Sequence, residues 1–436
     1  MRNPTVGFEW EFKDPSLVEF RVSPQGTAVL SETAGVCQRR LIHTAGQQRV
    51  NEGGRLFPIV DITLDLFKGL TGVIEIITAP VRFNDDETWL KVHTFIAAFV
   101  QHAAAAAFTG PDGQICRIPL NPEQRPRVAP IARPQDPVCI VAIRDVFDRM
   151  VTDARLVGDY VPVLTQGSGP EVNCGLLMTR PNEPDSGFPQ INIATKVEAW
   201  GLPGAVLDRF FLDLPFAAAD AVAKDAYNLA QRHITDWLRS KPELAPFAAS
   251  NFMRGLWTML VTVLNAQAKA TTSTPPLTGF HLKNAFNFYI KTPMNALFAK
   301  ANEATDEGKA VRAYWARITA AGATALLDAD AADLGDRMCS PKNPAGSCTP
   351  LFKSALTELF APGRDGEGLF NRDLVIPAPV APFMQDGRLC VLCETRTGAG
   401  ALSLERSAEL VFTPGARWTA KFKNYAELKD TIGALP

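Results

Sequence analysis

The residues best suited to chemistry in this chain are carboxylates set among apolar neighbours. Glu9 and Glu11 lie in Val6-Gly7-Phe8-Glu9-Trp10-Glu11-Phe12, and Glu75 lies in Gly72-Val73-Ile74-Glu75-Ile76-Ile77-Thr78-Ala79-Pro80. Aromatic and β-branched residues dominate both stretches and Gly or Pro closes their ends, which predicts two strands. Alternation along the first sends Phe8, Trp10 and Phe12 to one face and Gly7, Glu9 and Glu11 to the other. Two carboxylates so close repel one another unless a positive charge stands between them. A hard divalent cation is the natural candidate, so the pair points to a metal and phosphate site built on a sheet. Glu75 is a second signal, because a carboxylate inside an apolar run is rarely buried without a partner. A structural salt bridge is the competing reading there.

Other polar residues fall on predicted strands as well. In Leu389–Arg396, Cys390, Leu392, Glu394 and Arg396 share one face, which sets a carboxylate beside a guanidinium. In Pro189–Thr195, Gln190, Asn192 and Ala194 share one face. Lys283 and Lys291 are point charges suited to phosphate. No Gly-x-x-x-x-Gly-Lys-Ser/Thr loop, no strand followed by Gly-x-Gly-x-x-Gly and no Gly-x-Ser-x-Gly elbow occurs. The histidines at 43, 93, 102, 233 and 281 have no metal-ligand spacing. A nucleotide bound here is therefore held by carboxylate-bound Mg²⁺ and basic side chains, not by a glycine loop.

Those elements belong to a chain of 436 residues with 46% hydrophobic and 21% charged residues, the balance of a globular protein with a substantial core. A net charge of −2 gives no electrostatic case for nucleic acid or an anionic membrane. No apolar run reaches the ~18 residues of a membrane span, and the start has no apolar signal-peptide core; a cytoplasmic protein is expected. Eight cysteines do not make a disulfide scaffold, although Cys339 and Cys348 bracket a loop and could pair. Cys390 and Cys393, three apart on a strand, point to opposite faces and could share a metal only if the chain turned between them.

A helix is predicted over Asp86–Phe108, opening at Asp85/Asp86, and another around Ile143–Leu156. Seven prolines between Pro111 and Pro137 predict an irregular loop over 109–137. A mainly helical insertion is expected over 206–330, within one domain covering 1–436. Strands, then helices, then a closing strand predict an α+β fold, with an antiparallel or mixed sheet whose polar face lines a cleft, backed and flanked by helices.

The ordered motifs Gly7-Phe8-Glu9-Trp10-Glu11-Phe12, Ile74-Glu75-Ile76-Ile77-Thr78-Ala79-Pro80 and Glu394-Thr395-Arg396 resemble the signature of the amidoligase family. These are ATP-dependent carboxylate–amine ligases of the glutamine synthetase and glutamate–cysteine ligase fold. Lys283–Pro293 is similar to the family's helix-to-loop segment, where a basic residue precedes Thr. The resemblance implies ATP and Mg²⁺ as cofactors, phosphorylation of a substrate carboxylate, and displacement of phosphate from the acyl phosphate by an amine. It implies Glu9, Glu11, Glu75 and Glu394 as metal ligands, and Arg396 with Lys283 or Lys291 as cations on the transferring phosphoryl group. Glu394, Arg396, Gln190 and Asn192 become the cofactor-binding set. Two positions depart from the family pattern: Gln190-Ile191-Asn192 replaces a His-x-His-type strand, and Lys291 stands where an Arg is common. The expected partners are an amino acid or peptide bearing the carboxylate and an amine co-substrate, with no nucleic acid and no membrane. A phosphotransferase on the same fold and a non-catalytic ligase-like scaffold are the alternatives.

Overall fold

Alternation at the N-terminus does form a strand, and a longer one than the sequence suggests. β1 runs over Thr5–Val22 with Pro15 in its middle, where its pairing slips between Phe12 and Leu17. Proline cannot donate to a ladder and is tolerated at such an irregularity. The computed structural model describes residues 5–31, 37, 40–49, 56–82, 85–107, 118–128, 138–165, 172–178, 190–196, 235–251, 253–254, 288–290, 306–310, 313, 383–385, 388–395 and 402–403.

After β1 come β2 (Ala28–Leu30), β3 (Arg40–Thr44), β4 (Gln47–Arg49) and β5 (Leu56–Pro58). β6 (Val60–Lys68) and β7 (Thr71–Thr78) form an antiparallel pair. They turn through Gly69, whose φ of 64° suits a residue without Cβ. β8 (Val81–Arg82) leads into α1 (Asp86–Ala107), followed by β9 (Ile118–Pro119), β10 (Cys139–Ala142) and α2 (Ile143–Val151). β11 (Pro162–Leu164), β12 (Asn173–Met178) and β13 (Gln190–Lys196) follow. Far along the chain lie β14 (Phe288–Ile290), β15 (Phe383–Gln385), β16 (Arg388–Thr395) and β17 (Leu402–Ser403).

All but β4 and β5 join one 15-stranded sheet. β1 is its seam. On one side it pairs with β8, β7 and β2, and on the other with β13, β17 and β12. Only the β17 pairing is parallel among these. The apolar face of β1 and β7 carries Phe8, Trp10, Ile74 and Ile76, all essentially inaccessible to water. α1 covers it, with Trp89 meeting Phe8 edge-on at 5.1 Å. Trp89, Val92, Phe95, Ile96 and Phe99 recur at helical spacing along its buried face. Asp85 caps this helix: its carboxylate accepts the Thr88 N–H at 3.0 Å and the Thr88 hydroxyl at 2.7 Å. The fold is α+β, a large and mainly antiparallel sheet flanked by helices.

Several expectations change. The proline-rich segment is not wholly irregular, since it holds β9 and a 3₁₀ turn over Pro122–Val128 with Pro126 inside. The Gln124 side chain anchors that turn, accepting the Leu30 N–H at 2.6 Å and donating to the Leu30 carbonyl at 3.0 Å. The second helix ends at Val151, five residues early. Residues 288–290, expected in a helix-to-loop segment, are a strand paired with β16. Of the helical insertion, 235–239 and 306–310 are helical; most of it lies outside the described residues.

The cysteines also depart from expectation. Cys37 and Cys174 form a disulfide between residues 137 apart in sequence, both sulfur-bearing residues buried. Cys139 is disulfide-bonded as well. Glu19, opposite Cys174 on β1, accepts the Cys37 N–H at 2.7 Å and so holds the bridged loop against the sheet. Single-sequence spacing could not reveal a pairing made across strands so distant in the chain. Cys339 and Cys348 lie outside the described residues. Disulfides persist chiefly in oxidising compartments, which weighs against the cytoplasmic expectation. Among the described residues no helix is long and apolar enough to cross a membrane.

Candidate functional site

Strand register assembles the carboxylate positions. Glu11 stands directly opposite Glu75, and Glu9 opposite Ile77, so Glu75 is also diagonal to Glu9. Directly opposed positions in an antiparallel pair have Cβ atoms about 5 Å apart and diagonal ones about 7–8 Å. Across the other edge of β1, Gln190 is opposite Glu9 and Asn192 opposite Gly7. Asn192 is opposite Glu394 of β16, and Glu394 is opposite Tyr289 of β14. Five of the expected site positions thus fall with Glu75 on one face of four neighbouring strands: Glu9, Glu11, Gln190, Asn192 and Glu394.

Burial supports the face assignment where side chains are described. Along β7, Val73, Glu75 and Ile77 are half-buried while Ile74 and Ile76 are fully buried, and Glu9 is half-buried between buried Phe8 and Trp10. The Thr78 hydroxyl accepts the Phe8 N–H at 2.8 Å, tying the start of β1 to the end of β7. Lys283, Lys291 and Arg396 lie outside the described residues. No group of three His, Cys, Asp or Glu side chains able to hold a metal forms among the described residues. Of the four expected metal ligands, Glu9 and Glu75 have described side chains, and their carboxylates are hard oxygen donors.

The same register continues beyond β7 into residues that sequence reasoning missed. β6 sets Thr63 opposite Glu75 and Asp61 opposite Ile77. β3 sets Arg40 opposite Thr63 and His43 opposite Asp61. Arg40 Nε donates to Asp61 Oδ2 at 2.8 Å. His43 is buried, with Nδ1 2.8 Å from the Thr44 carbonyl oxygen. The signal was present in Val60-Asp61-Ile62-Thr63-Leu64-Asp65, which alternates apolar and polar as a half-buried strand does.

A second polar cluster lies on the helical side. Asp153 bonds the Arg155 guanidinium through both oxygens, at 2.7–3.2 Å, and His102 Nε2 is 2.9 Å from Asp153 Oδ2. The Arg155 hydrogen bonds hold the Asp153 carboxyl well below the usual carboxylate range. Arg155 also donates to Gln101 at 2.8 Å. The cluster fastens α1 to the turn after α2, away from the carboxylate face.

Comparison with known proteins gives little beyond this geometry. No family model and no curated protein matches the chain. Two solved structures resemble it. One is a Vibrio cholerae toxin from the MARTX/VgrG family, 13% identical, TM-score 0.46, with 92% of this chain and 95% of that one covered. The other is a mutant VgrG Vibrio cholerae toxin ACD domain in complex with ADP and Mn++, 12% identical, TM-score 0.45, over the same shares. The amidoligase resemblance is corrected here, since no family model matches the chain. Its motifs were short, and Gly-x-Glu-x-Glu and Glu-x-Arg are patterns that any sheet with one polar face can carry.

Proposed function

We propose that this chain is an ATP- and Mg²⁺-dependent carboxylate–amine ligase. In the overall reaction an oxygen of the substrate carboxylate takes the γ-phosphoryl group from ATP, releasing ADP. The amine nitrogen then attacks the acyl carbon, the C–O bond to phosphate breaks, and inorganic phosphate and a proton leave as the amide forms. The observation carrying this reading is the placement of Glu11 directly opposite Glu75, with Glu9 diagonal to it. Carboxylates at opposed and diagonal positions offer the oxygen donors that a hard divalent cation takes. Glu9, Glu11 and Glu75 would hold the ion and Glu394 would complete the set. When bound, Mg²⁺ neutralises phosphate charge and orients the transferring group. The chain's own part is rigid presentation: the carboxylates sit on central strands whose reverse face is locked against α1. Gln190 and Asn192, opposite Glu9 and Gly7 on β13, would orient the nucleotide or acid by hydrogen bonds. Lys283, Lys291 and Arg396 remain proposed cations for the phosphoryl group.

The test is a thermal-shift titration with ATP, with and without Mg²⁺, on the wild type and on Glu9→Gln. Ligand binding to the folded state raises Tm by mass action. A Mg²⁺-dependent rise that Glu9→Gln abolishes is expected, followed by phosphate release in a screen of acid and amine pairs. No rise in the presence of any acid substrate would overturn the reading in favour of a scaffold.

A further inference from the structure

We propose that Arg40 grips a phosphate of the bound nucleotide beside the carboxylates, and that Asp61 aims it. This rests on the ligase reading and adds a phosphate-binding residue to it. Arg40 occupies the row Arg40–Thr63–Glu75–Glu11 across β3, β6, β7 and β1. Its bond to Asp61 brings the guanidinium over β6, one strand spacing, about 5 Å, from the strand of Glu75.

The bond to Asp61 uses Nε alone, and 37% of the Arg40 side chain is exposed. A guanidinium has five donor hydrogens in a planar fork, and the Asp61 bond leaves those of both terminal nitrogens unused. That fork matches two oxygens of a phosphate. Asp61, 16% exposed, holds the fork in place before a ligand arrives, which lowers the ordering cost of binding. The other basic residue in these rows, His43, is buried and engaged by the Thr44 carbonyl, so it is not available for the same task. A metal held by Glu9, Glu11 and Glu75 would neutralise part of a triphosphate; a cation one strand away meets what remains. The alternative is that Arg40 and Asp61 merely fasten β3 to β6.

Two titrations separate these. Mn²⁺ alone, followed by electron paramagnetic resonance, reports the carboxylates. Mn²⁺ with adenylyl imidodiphosphate, followed by calorimetry below the Tm of every variant, reports the phosphate grip. Arg40→Gln is expected to keep Mn²⁺ affinity and lose about tenfold or more in nucleotide affinity. Arg40→Lys, which keeps the charge and the ion pair but not the fork, should recover only part of that loss. Asp61→Asn retains an acceptor for Nε and should bind within a few-fold of wild type, whereas Asp61→Ala should approach Arg40→Gln. Equal nucleotide affinity in wild type and Arg40→Gln would overturn the proposal while leaving the metal site standing. Wild type that takes up neither Mn²⁺ nor the nucleotide would sink the ligase reading, and this inference with it.

Discussion

His93 sits on α1 with its ring centroid 6.1 Å from that of Trp89, and burial pushes its pKa down to about 4. The unfolded chain takes up a proton on this residue near pH 6.5 and the folded chain does not. Stability is therefore intact above about pH 6.5 and falls as the pH drops toward 4, by about 3 kcal/mol in all. Urea unfolding at pH 7.5 and pH 5 should show the loss, and His93→Phe should remove most of it. Glu75→Gln should abolish metal-dependent activity, a fall of at least about 10²-fold, while the amide of the same shape keeps the fold. A fall of several degrees would identify Glu75 as half of a structural salt bridge. The type and face of Glu9, Glu11 and Glu75 were legible from alternation alone. What stood opposite them was not, since register joins residues more than 60 apart and nothing local encodes it. Arg40 was overlooked for the same reason: its significance comes from Asp61, a partner on another strand.

Among the elements, α1 was legible almost to the residue, because Asp85 caps it and its apolar residues keep a helical period. β7 was equally clear from its alternation. β1 was read too short, since Asp14-Pro15 looks like a terminator; tertiary pairing on both sides carries the strand through it. β14 lay in a segment whose lysines invited a ligand-loop reading, and only β16 beside it makes it a strand. β12 supplies a sharp test of packing. A Cβ on Gly175 would stand 2.7 Å from Phe20 Cε1, 3.0 Å from Ile140 Cγ2 and 3.0 Å from the Val141 carbonyl oxygen. Gly175→Ala should therefore destabilise by about 1–3 kcal/mol, seen as an earlier midpoint in chemical denaturation. A neutral result would mean that β10 and β12 can part without cost. The lost stability should leave metal affinity unchanged, because β12 pairs with the far half of β1.

At the scale of the whole molecule, the Cys37–Cys174 bridge and the proposed use of ATP make different demands on the surroundings. Burial reconciles them. Thiol–disulfide exchange needs a thiolate to reach a sulfur, and both residues are 3% exposed or less. Millimolar glutathione should leave the native bridge intact, judged by mass spectrometry after alkylation, and reduce it only once urea unfolds the chain. Rapid reduction of the native protein would show that this region opens readily. The seam strand has a further consequence, for the order in which the protein is made. β1 precedes the strands it pairs with, and these extend to Ser403. At roughly 5–20 residues per second, synthesis of the intervening chain takes roughly 20–80 s. β2, β7 and β8 close one edge of β1 early and α1 covers Phe8, but on the other edge the stretch from Phe12 to Asp14 waits for β17 through that interval. The strand that carries two of the carboxylates is made before its partners and is among the last to be completed.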